Sequence, residues 1–288
     1  MRVVREPEEL LRAGAQWRRR GESVGFVPTM GALHEGHRSL IQRARRENRR
    51  VVVSIFVNPL QFGPDEDYNR YPRPFYQDRR LCESSWVDAL YRPSPEAMYP
   101  EGFATAVEVR GLSDLLDGEF RPGHFRGVAT VVLKLLQQVR PDKAYFGEKD
   151  YQQLIVLGRM ARDLDLGVEI VPCPTVRERD GLALSSRNAY LSANERANAP
   201  LLYRALAAGC EAAKAPGAKP ERVTRLVKRL VQKIPRVSVD YIRLVDAATL
   251  EEAERLRGRL RLLAAIRLGR TRLIDNLAVP CKEQGPNR

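Results

Sequence analysis

Two of the three histidines in this 288-residue chain stand within one glycine-containing segment. His34 and His37 follow Gly31 and flank Gly36, between a short predicted strand and a helix that is predicted to begin near His37. Glycines allow a tight turn, and the start of a helix presents unpaired N–H groups and a positive dipole end. Histidines on one side of such a turn can donate hydrogen bonds to phosphate. The pattern predicts a phosphate site; the alternative is that one histidine caps the helix and the other is packed or solvated.

Neutral amides follow the second predicted strand, residues 50–57. Asn58 and Gln61 would emerge at the same edge as the histidines, because the carboxyl ends of parallel strands share one edge of a sheet. An amide can bind a hydroxyl or a carboxylate without competing for protons or metal. Both residues are therefore candidate substrate ligands, and the alternative is that Asn58, Pro59 and Gly63 only form a turn.

Carboxylates lie in the next segment of the chain. Asp65, Glu66, Asp67 and Asp78 could ligate the Mg²⁺ that accompanies a nucleoside triphosphate, since Mg²⁺ prefers oxygen ligands. The alternative is that they are solvated acids of a surface loop. Asp78 is kept as the candidate metal ligand.

A lysine occupies the turn that follows a further predicted strand, residues 144–146. Lys149 stands between Glu148 and Asp150, and a lysine in such a turn can reach a phosphate as a mobile point charge. Gln153 lies one helical turn further on and would share the same edge, which makes it a second candidate amide.

Two short basic segments complete the candidate set. Arg121 and His124 precede an apolar helix, where they either present cations to an anion or cap the helix, with capping favoured for His124. Ser185, Ser186 and Arg187 offer two hydroxyls, a guanidinium and backbone N–H groups that could close over phosphates. The alternative for the serine-containing segment is an ordinary linker.

Alternating strands and helices separate these segments. Strands are predicted at residues 23–27, 50–57, 87–91, 144–146 and 168–171, with an edge strand at 106–109. Helices are predicted at residues 37–47, from near residue 77, at 128–139 and from 151 to about 163. The alternation predicts an α/β fold with a doubly wound, Rossmann-like parallel sheet that binds ligands at the carboxyl ends of its strands.

The pattern changes after Pro172 and Pro174, which make a stiff, extended connection. Helices at residues 196–213 and 221–234 and strands at 237–244 and 260–268 then indicate a smaller α+β domain. The apolar stripe of the second of these helices is predicted to be core rather than interface. The predicted domains are residues 1–174 and 175–288.

Charge and composition narrow the choice of partner and location. The 49 basic and 36 acidic residues give a net charge of +13, which suits either a nucleic acid or an anionic small molecule. Few aromatic residues interleave the basic runs, so we expect a solvated basic face and no nucleic-acid partner.

No apolar run reaches the roughly 18 residues of a membrane span and no signal peptide is recognisable, which predicts a cytoplasmic protein without a membrane partner. The 4 cysteines form no Cys-x-x-Cys pair, which argues against a zinc site and a disulfide framework.

Five segments resemble, in the same order, the motifs of the pantothenate synthetase family, the pantoate–β-alanine ligases: residues 28–37, 54–63, 121–128, 146–153 and 181–188. The segments at 239–246 and 272–276 are similar to that family's C-terminal domain. The histidine segment alone also resembles the wider nucleotidyltransferase superfamily. A nucleotidyltransferase with another phosphate acceptor is the alternative, although it would not need the segments around Asn58 and Lys149 together.

The resemblance implies ATP-dependent ligation of (R)-pantoate and β-alanine to (R)-pantothenate through a pantoyl adenylate, with release of AMP and pyrophosphate. It also implies Mg²⁺, a homodimer, and a C-terminal domain that closes over the ATP site.

The resemblance implies site residues as well. ATP would be contacted by Met30, Gly31, Ala32, Leu33, His34, Glu35, Gly36, His37, Gly147, Glu148, Lys149, Asp150, Val176, Leu184, Ser185, Ser186 and Arg187. The catalytic members of this set would be His34, His37, Lys149, Ser185, Ser186 and Arg187, with His37 the candidate proton donor. Gln61 and Gln153 would hold pantoate, and Gln61 would also meet β-alanine. Asn58 and Arg121 are further candidate substrate-binding residues.

Overall fold

The computed structural model describes residues 1–280, and the chain within it forms two compact units. The first unit comprises Met1–Asp114, Arg121–Glu148 and Gln153–Val176. The second unit comprises Leu115–Phe120, Lys149–Gln152 and the chain from Arg177 onward. Two short segments that precede residue 177 therefore belong with the second unit. The predicted second domain, residues 175–288, lacks these two segments.

A six-stranded parallel sheet forms the centre of the first unit. Its strands, in chain order, are β1 (Arg2–Val4), β2 (Val24–Thr29), β3 (Arg50–Ile55), β4 (Ala89–Tyr91), β5 (Lys143–Gly147) and β6 (Glu169–Cys173). Their spatial order is β1-β4-β3-β2-β5-β6. The inner strands are apolar on both faces, as a parallel sheet covered by helices requires.

The helices that follow the strands are amphipathic and place their apolar residues on the sheet. The helices of the described residues are α1 (Pro7–Arg19), α2 (Glu35–Glu47), α3 (Phe75–Ser84), α4 (Pro95–Met98), α5 (Asp117–Phe120), α6 (His124–Val139), α7 (Tyr151–Asp163), α8 (Ala193–Asn198), α9 (Leu201–Ala213) and α10 (Pro220–Val231). Leu40, Ile41 and Ala44 of α2 and Cys82 of α3 join the buried strand residues in one apolar cluster. Helices α2 and α3 contact each other, and so do α1 and α6.

The strand order places a topological switch point beside β2. From β2 the chain moves to β3 and β4 on one side, and it then returns to β5 on the other side of β2. In open parallel sheets, ligands bind in the crevice at the carboxyl ends of strands where the order reverses. The histidine segment follows β2 directly and therefore lies at this position.

The second unit is built on an antiparallel sheet of β7 (Val237–Asp246), β8 (Leu260–Leu268) and β9 (Thr271–Val279). Helix α10 buries Val223, Val227 and Val231, which are spaced one helical turn apart, and all three join the core of this unit. The prediction that this stripe is core is confirmed.

Helix α5 is fixed to this second sheet by buried charges. Arg272 of β9 donates from Nη2 to Oδ1 of Asp117 at 2.7 Å, and the hydroxyl of Tyr241 donates to the same oxygen at 2.9 Å. Arg272 also donates from Nε to Asp240 at 2.8 Å. Burial raises the pKa of Tyr241 well above its usual value, so its hydroxyl stays a donor.

The predicted fold class, a doubly wound parallel sheet with a smaller α+β unit, is confirmed. One predicted strand is wrong, because residues 106–109 form no strand. The edge position beside β4 is instead occupied by β1, an N-terminal strand that was not predicted from the sequence, and neither was α1. The N–H of Val107 donates to Oγ1 of Thr130 rather than to a neighbouring strand.

Several other boundaries also differ from the predictions. Helix α2 begins at Glu35, and helix α6 begins at His124 rather than Val128. The helix predicted over residues 196–213 is two helices, α8 and α9, because Pro200 has no N–H to continue the first one. Strand β9 was not predicted as a strand.

No helix of residues 1–280 is long and apolar enough to cross a membrane. Cys82, Cys173 and Cys210 are buried free thiols, and Cys281 lies outside the described residues.

Candidate active site

The segment with the two histidines, residues 30–37, begins where β2 ends and is called the histidine turn. The hydroxyl of Thr29 donates to the carbonyl of Ser54 at 2.7 Å and accepts the N–H of Gly31 at 3.1 Å. Gly31 has φ +88°, a value that suits glycine, and Ala32 follows with φ +50°. Gly36, by contrast, lies in the first turn of α2, so the tight bend that the sequence suggested for both glycines occurs only at Gly31.

Both histidines cap helix α2, and they do so reciprocally. Nδ1 of His34 accepts the N–H of Gly36 at 3.2 Å, and Nδ1 of His37 accepts the N–H of His34 at 3.2 Å. The two rings lie 4.2 Å apart between centroids. A nitrogen that accepts a backbone N–H carries no proton, so each neutral ring carries its proton on Nε2. The capping alternative is therefore compatible with phosphate binding, because Nδ1 serves the cap and Nε2 is the donor.

Asp78 of α3 fixes the strained part of the turn. Its Oδ2 accepts the N–H of Ala32 at 3.0 Å, and its Oδ1 accepts the N–H of Leu33 at 2.7 Å. Asp78 is 1% exposed, and burial raises the pKa of its carboxyl group while the two N–H groups act in the opposite direction. The carboxylate thus satisfies two backbone donors that the turn leaves unpaired.

Asn58 and Gln61 lie together after β3, as predicted. Nδ2 of Asn58 donates to Oε1 of Gln61 at 3.1 Å and to the carbonyl of Gly127 at 3.1 Å, and Oδ1 of Asn58 accepts the hydroxyl of Tyr99 at 2.7 Å. Nε2 of Gln61 contacts Sδ of Met30 at 3.0 Å. The amide of Gln61 is therefore aimed at the residue that begins the histidine turn.

Arg121 and His124 support the backbone of Gln61. Arg121 forms a two-point ion pair with Glu66, with Nε to Oε1 at 2.6 Å and Nη2 to Oε2 at 2.6 Å. Nδ1 of His124 lies 2.8 Å from the carbonyl of Gln61, so it carries the proton, and Nε2 faces Nη1 of Arg121 at 3.0 Å. The N-cap of α6 is Gly123, so the favoured capping role of His124 is wrong.

A cavity of about 160 Å³ opens beside the histidine turn within the first unit. Met30, Gly31 and Asp78 form part of its wall, and Phe56 and Arg92 form another part. The wall is largely apolar and includes few charged groups, which is typical of a pocket for a small organic molecule.

The second unit contains Lys149 and the serine loop, which comprises Ser185, Ser186 and Arg187. Glu148–Asp150 form one turn of 3-10 helix, in which Nζ of Lys149 lies 3.7 Å from Oδ1 of Asp150. Ser185 caps another 3-10 helix, Ser186–Tyr190, because its Oγ accepts the N–H of Arg187 at 3.3 Å. Leu184 immediately precedes this cap.

The predicted residues are thus divided between the units. The first unit holds the whole histidine turn with Asn58, Gln61, Asp78 and Arg121, and it also holds Gly147, Glu148, Gln153 and Val176. The second unit holds Lys149, Asp150, Leu184, Ser185, Ser186 and Arg187. Sequence reasoning missed the support that Tyr99 and Gly127 give to Asn58, because nothing in the spacing links residues so far apart in the chain.

The comparisons with known proteins identify the family of the chain. The model of the family described as Pantoate-beta-alanine ligase matches residues 2–278. The chain belongs to this family. A pantothenate synthetase from Caldicellulosiruptor bescii is 48% identical over 98% of this chain and 100% of its own length. The family resemblance inferred from the motifs is confirmed.

Solved structures of the family have the same fold. A pantothenate synthetase crystal structure from Thermus thermophilus matches with a TM-score of 0.93 and 53% identity, over 97% of this chain and 99% of that one. A pantoate-beta-alanine ligase from Francisella tularensis matches with a TM-score of 0.80 and 36% identity over 100% of both chains. That protein was crystallised with Beta-gamma ATP and beta-alanine.

The residues around the turn fit a protein-held metal ion poorly. Residues 1–280 contain no group of three or more His, Cys, Asp and Glu side chains that could hold one. Both oxygens of Asp78 already accept backbone N–H groups. That Asp78 binds Mg²⁺ stays a prediction, and no chemical step below depends on it.

Proposed function

We propose that this protein is an ATP-dependent pantoate–β-alanine ligase, which joins (R)-pantoate and β-alanine and releases AMP and pyrophosphate. The observation that carries the proposal is the reciprocal cap of His34 and His37, with Gln61 beside it, in a chain that matches the family over residues 2–278. Because Nδ1 of each ring accepts a backbone N–H, the Nε2–H group of each ring is the one that would donate to phosphate. The amide of Gln61 then offers a neutral partner for a hydroxyl or carboxylate nearby.

The reaction would proceed in two steps. A carboxylate oxygen of pantoate attacks the α-phosphorus of ATP; the new O–P bond forms as the bond to the β-phosphate oxygen breaks, and pyrophosphate leaves. The amine of β-alanine then attacks the carbonyl carbon of the pantoyl adenylate, loses a proton as the amide bond forms, and displaces AMP. Neither step needs a covalent bond to the protein.

The residues of this chain would act by binding and by stabilising charge. His34 and His37 would donate to the phosphates, and His37 would supply a hydrogen bond to the leaving oxygen. Lys149 and Arg187 would neutralise the charge that gathers on the phosphate oxygens in the transition state, and Ser185 and Ser186 would donate hydrogen bonds there. These roles are supported by residue chemistry and by the geometry within each unit.

The substrate residues would act by orienting pantoate. Gln61 and Gln153 would bind its hydroxyl and carboxylate groups, and Asn58 would hold Gln61 in place through the hydrogen bond between their side chains. Arg121 is already paired with Glu66, so we propose that it acts mainly by supporting Gln61. Exclusion of water from the site would protect the adenylate from hydrolysis.

Other features of the family stay proposals for this chain. Mg²⁺ supplied with ATP would be bound mainly by phosphate oxygens and water, as Mg²⁺ commonly is in ATP sites. We also propose a homodimer in the cytoplasm without nucleic-acid or membrane partners, as the resemblance and the composition suggested.

The test is isotope exchange between pyrophosphate and ATP, measured in the absence of β-alanine. We expect exchange only when pantoate is present, because the carboxylate must attack ATP before pyrophosphate can be reincorporated. Exchange that does not depend on pantoate would overturn the proposal and would favour a nucleotidyltransferase with another acceptor. Addition of β-alanine should then convert the adenylate to pantothenate and AMP.

A further inference from the structure

The main chain of Lys149 is held by a side chain of β9. Nδ2 of Asn276 donates to the carbonyl of Lys149 at 3.0 Å, and Asn276 is 3% exposed. Oδ1 of the same amide accepts Nε of Arg261 at 2.8 Å. Arg261 lies over the ring of Tyr151, 4.0 Å from its centroid, and the hydroxyl of Tyr151 donates to the carbonyl of Ala247 at 2.9 Å. Lys149 and Tyr151 are therefore fixed to the sheet of the second unit.

The hydrogen bond from Asn276 matters because Lys149 lies in a 3-10 turn of only 3 residues. Glu148–Asp150 form a single 3-10 turn between β5 and α7, and the hydrogen bonds of a 3-10 turn have poorer geometry than those of an α-helix. A lysine side chain is long and flexible, so the position of its backbone decides where its ammonium group can reach. The amide of Asn276 supplies that position from outside the turn.

The neighbouring residue supports the serine loop in a similar way. Asp275 pairs with Arg177 at two points, with Nη1 to Oδ2 at 2.6 Å and Nη2 to Oδ1 at 2.8 Å. Arg177 also donates to the carbonyl of Gly181 at 3.1 Å and forms an antiparallel bridge with Ala183. Ala183 is two residues before Ser185, so this ion pair fixes the hairpin that leads into the serine loop.

We propose that the adjacent buried pair Asp275 and Asn276 positions the phosphate-binding groups of the second unit: Asn276 holds Lys149, and Asp275 holds the loop of Ser185, Ser186 and Arg187 through Arg177. The proposal rests on the proposed function, in which Lys149 binds the phosphates of ATP. Both are positioning residues, since their contacts are with other residues of this unit. Strand β9 thus serves as the common support of two segments that are distant in the sequence.

Asn276→Asp is the sharpest variant for a test. It keeps an oxygen that can accept Nε of Arg261, but it replaces the amide N–H with a carboxylate oxygen that repels the carbonyl of Lys149. The control is Asn198→Asp in α8, where Nδ2 also donates to a backbone carbonyl, that of Asn194, at 2.8 Å. This hydrogen bond lies within α8 itself, so the same change of atoms should leave Lys149 and the serine loop in place.

The measurement is a double-mutant cycle on ligand affinity and on exchange. Asn276→Asp, Lys149→Ala and the double variant are compared for pyrophosphate–ATP exchange and for binding of a non-hydrolysable ATP analogue and of AMP. We expect Asn276→Asp to weaken the ATP analogue and slow exchange by about 10–100-fold, because small displacements of a positioned group are this costly. AMP binding and the aminolysis of preformed pantoyl adenylate should change much less.

The double-mutant cycle distinguishes an effect that acts through the position of Lys149 from an effect on the protein that does not involve Lys149. In the Lys149→Ala background, Asn276→Asp should change the affinity for the ATP analogue by less than about 2-fold, since the group that it positions is absent. A loss of equal size in both backgrounds, or wild-type affinity in Asn276→Asp alone, would overturn the proposal.

Two further outcomes are informative. If Asn276→Asp does not fold, as judged by circular dichroism, Asn276→Ala provides the same comparison without an added charge, and failure of both variants to fold would overturn the positioning role. If Lys149→Ala keeps wild-type exchange, the assigned role of Lys149 is wrong and the inference falls with it. That result is distinct from loss of pantoate-dependent exchange in the wild-type protein, which would overturn the proposed function itself.

Discussion

Nδ1 of His37 accepts the backbone N–H of His34 at 3.2 Å, so the second histidine of the turn holds the first one in place. His34 in turn accepts the N–H of Gly36 and completes the cap of α2. Nδ1 of each ring therefore accepts a backbone N–H group, and in the proposed function Nε2 of each ring is the donor to phosphate. Loss of either histidine should affect both the helix start and the chemistry, and the two effects can be separated by choice of substitution.

His37→Ala and His37→Gln separate these effects. Removal of a capping side chain costs about 0.5–2 kcal/mol, so His37→Ala should lower the free energy of unfolding by this amount. Glutamine can replace the capping acceptor at this position, so His37→Gln should be closer to the wild type in stability. Both variants should slow pantoate-dependent pyrophosphate–ATP exchange by about 10²–10³-fold, as expected for loss of one preorganised donor. Wild-type exchange in His37→Gln would remove the imidazole from the mechanism.

Asp78→Asn should disturb the turn without removing a histidine. An amide can accept only one of the two N–H groups of Ala32 and Leu33 well, because its NH₂ group faces the other. One buried donor is left unsatisfied, which costs about 1–3 kcal/mol of unfolding free energy. Exchange should fall as His34 moves, and thermal unfolding together with exchange kinetics would measure both effects.

The dependence on Mg²⁺ concentration tests the other role of Asp78. If the carboxylate only holds the turn, Asp78→Asn should leave the half-saturating Mg²⁺ concentration unchanged. An increase in that concentration would support the prediction that Asp78 is a metal ligand. Glu83→Gln is the control, because Glu83 lies on the same helix and pairs at the surface with Arg79.

Gly127→Ala should displace Gln61. A Cβ atom at Gly127 would collide with the carbonyl group of Leu60 and would lie 2.7 Å from the backbone nitrogen of Gln61. Such overpacking costs about 1–3 kcal/mol. We expect the KM for pantoate to rise more than the KM for ATP, because Gln61 is the proposed pantoate ligand. Gly158→Ala is the matched control: it lies in α7 with no atom within 4 Å of the added Cβ, and it should fold and react normally.

Glu47 should make the stability of the histidine-bearing helix depend on acid pH. The hydrogen bond from Arg43 lowers the pKa of Glu47 to about 2, with further hydrogen bonds from Tyr145 and Lys143. The folded pKa is below the unfolded one, so this contribution is present above pH 4.5 and is lost as the pH falls toward 2.

Glu47→Gln is the variant that checks this pH dependence. Its unfolding free energy should be lower than that of the wild type by no more than about 1 kcal/mol at pH 6, since these contacts are partly exposed. The difference should shrink between pH 4.5 and pH 2, where the wild type loses its carboxylate. A difference that stays constant over this range would show that the ion pair is not its cause.

The parts of the fold that could be predicted are those with strong local signals. The apolar runs of β2, β3 and β5 and the helical spacing of α6 and α10 are visible in the sequence, and they determine the sheet and the core. Strand β1 was missed because it is only 3 residues long, although Pro7 and the acidic residues Glu8 and Glu9 mark the start of the helix after it. Residues 106–109 show the converse case, in which a stretch with strand-like alternation forms no strand.

In the candidate site, too, only the features with a local sequence signal could be predicted. Gly31, His34 and His37 are recognisable because they lie within a few residues of each other and follow a strand. The contacts of Asp78 with Ala32 and of Asn276 with Lys149 join residues that are far apart in the chain, and no spacing rule reveals such pairs. The chemistry of the site could therefore be predicted from sequence, whereas the residues that hold it in position required the folded chain.

The second unit contains two segments, Leu115–Phe120 and Lys149–Gln152, that lie within the sequence of the first. A fragment that begins at Arg177 would lack Asp117, which accepts hydrogen bonds from both Arg272 and Tyr241, and it would also lack the lysine that Asn276 holds. Because the second unit is not one continuous stretch of the chain, a single genetic crossover at residue 177 would not transfer it whole.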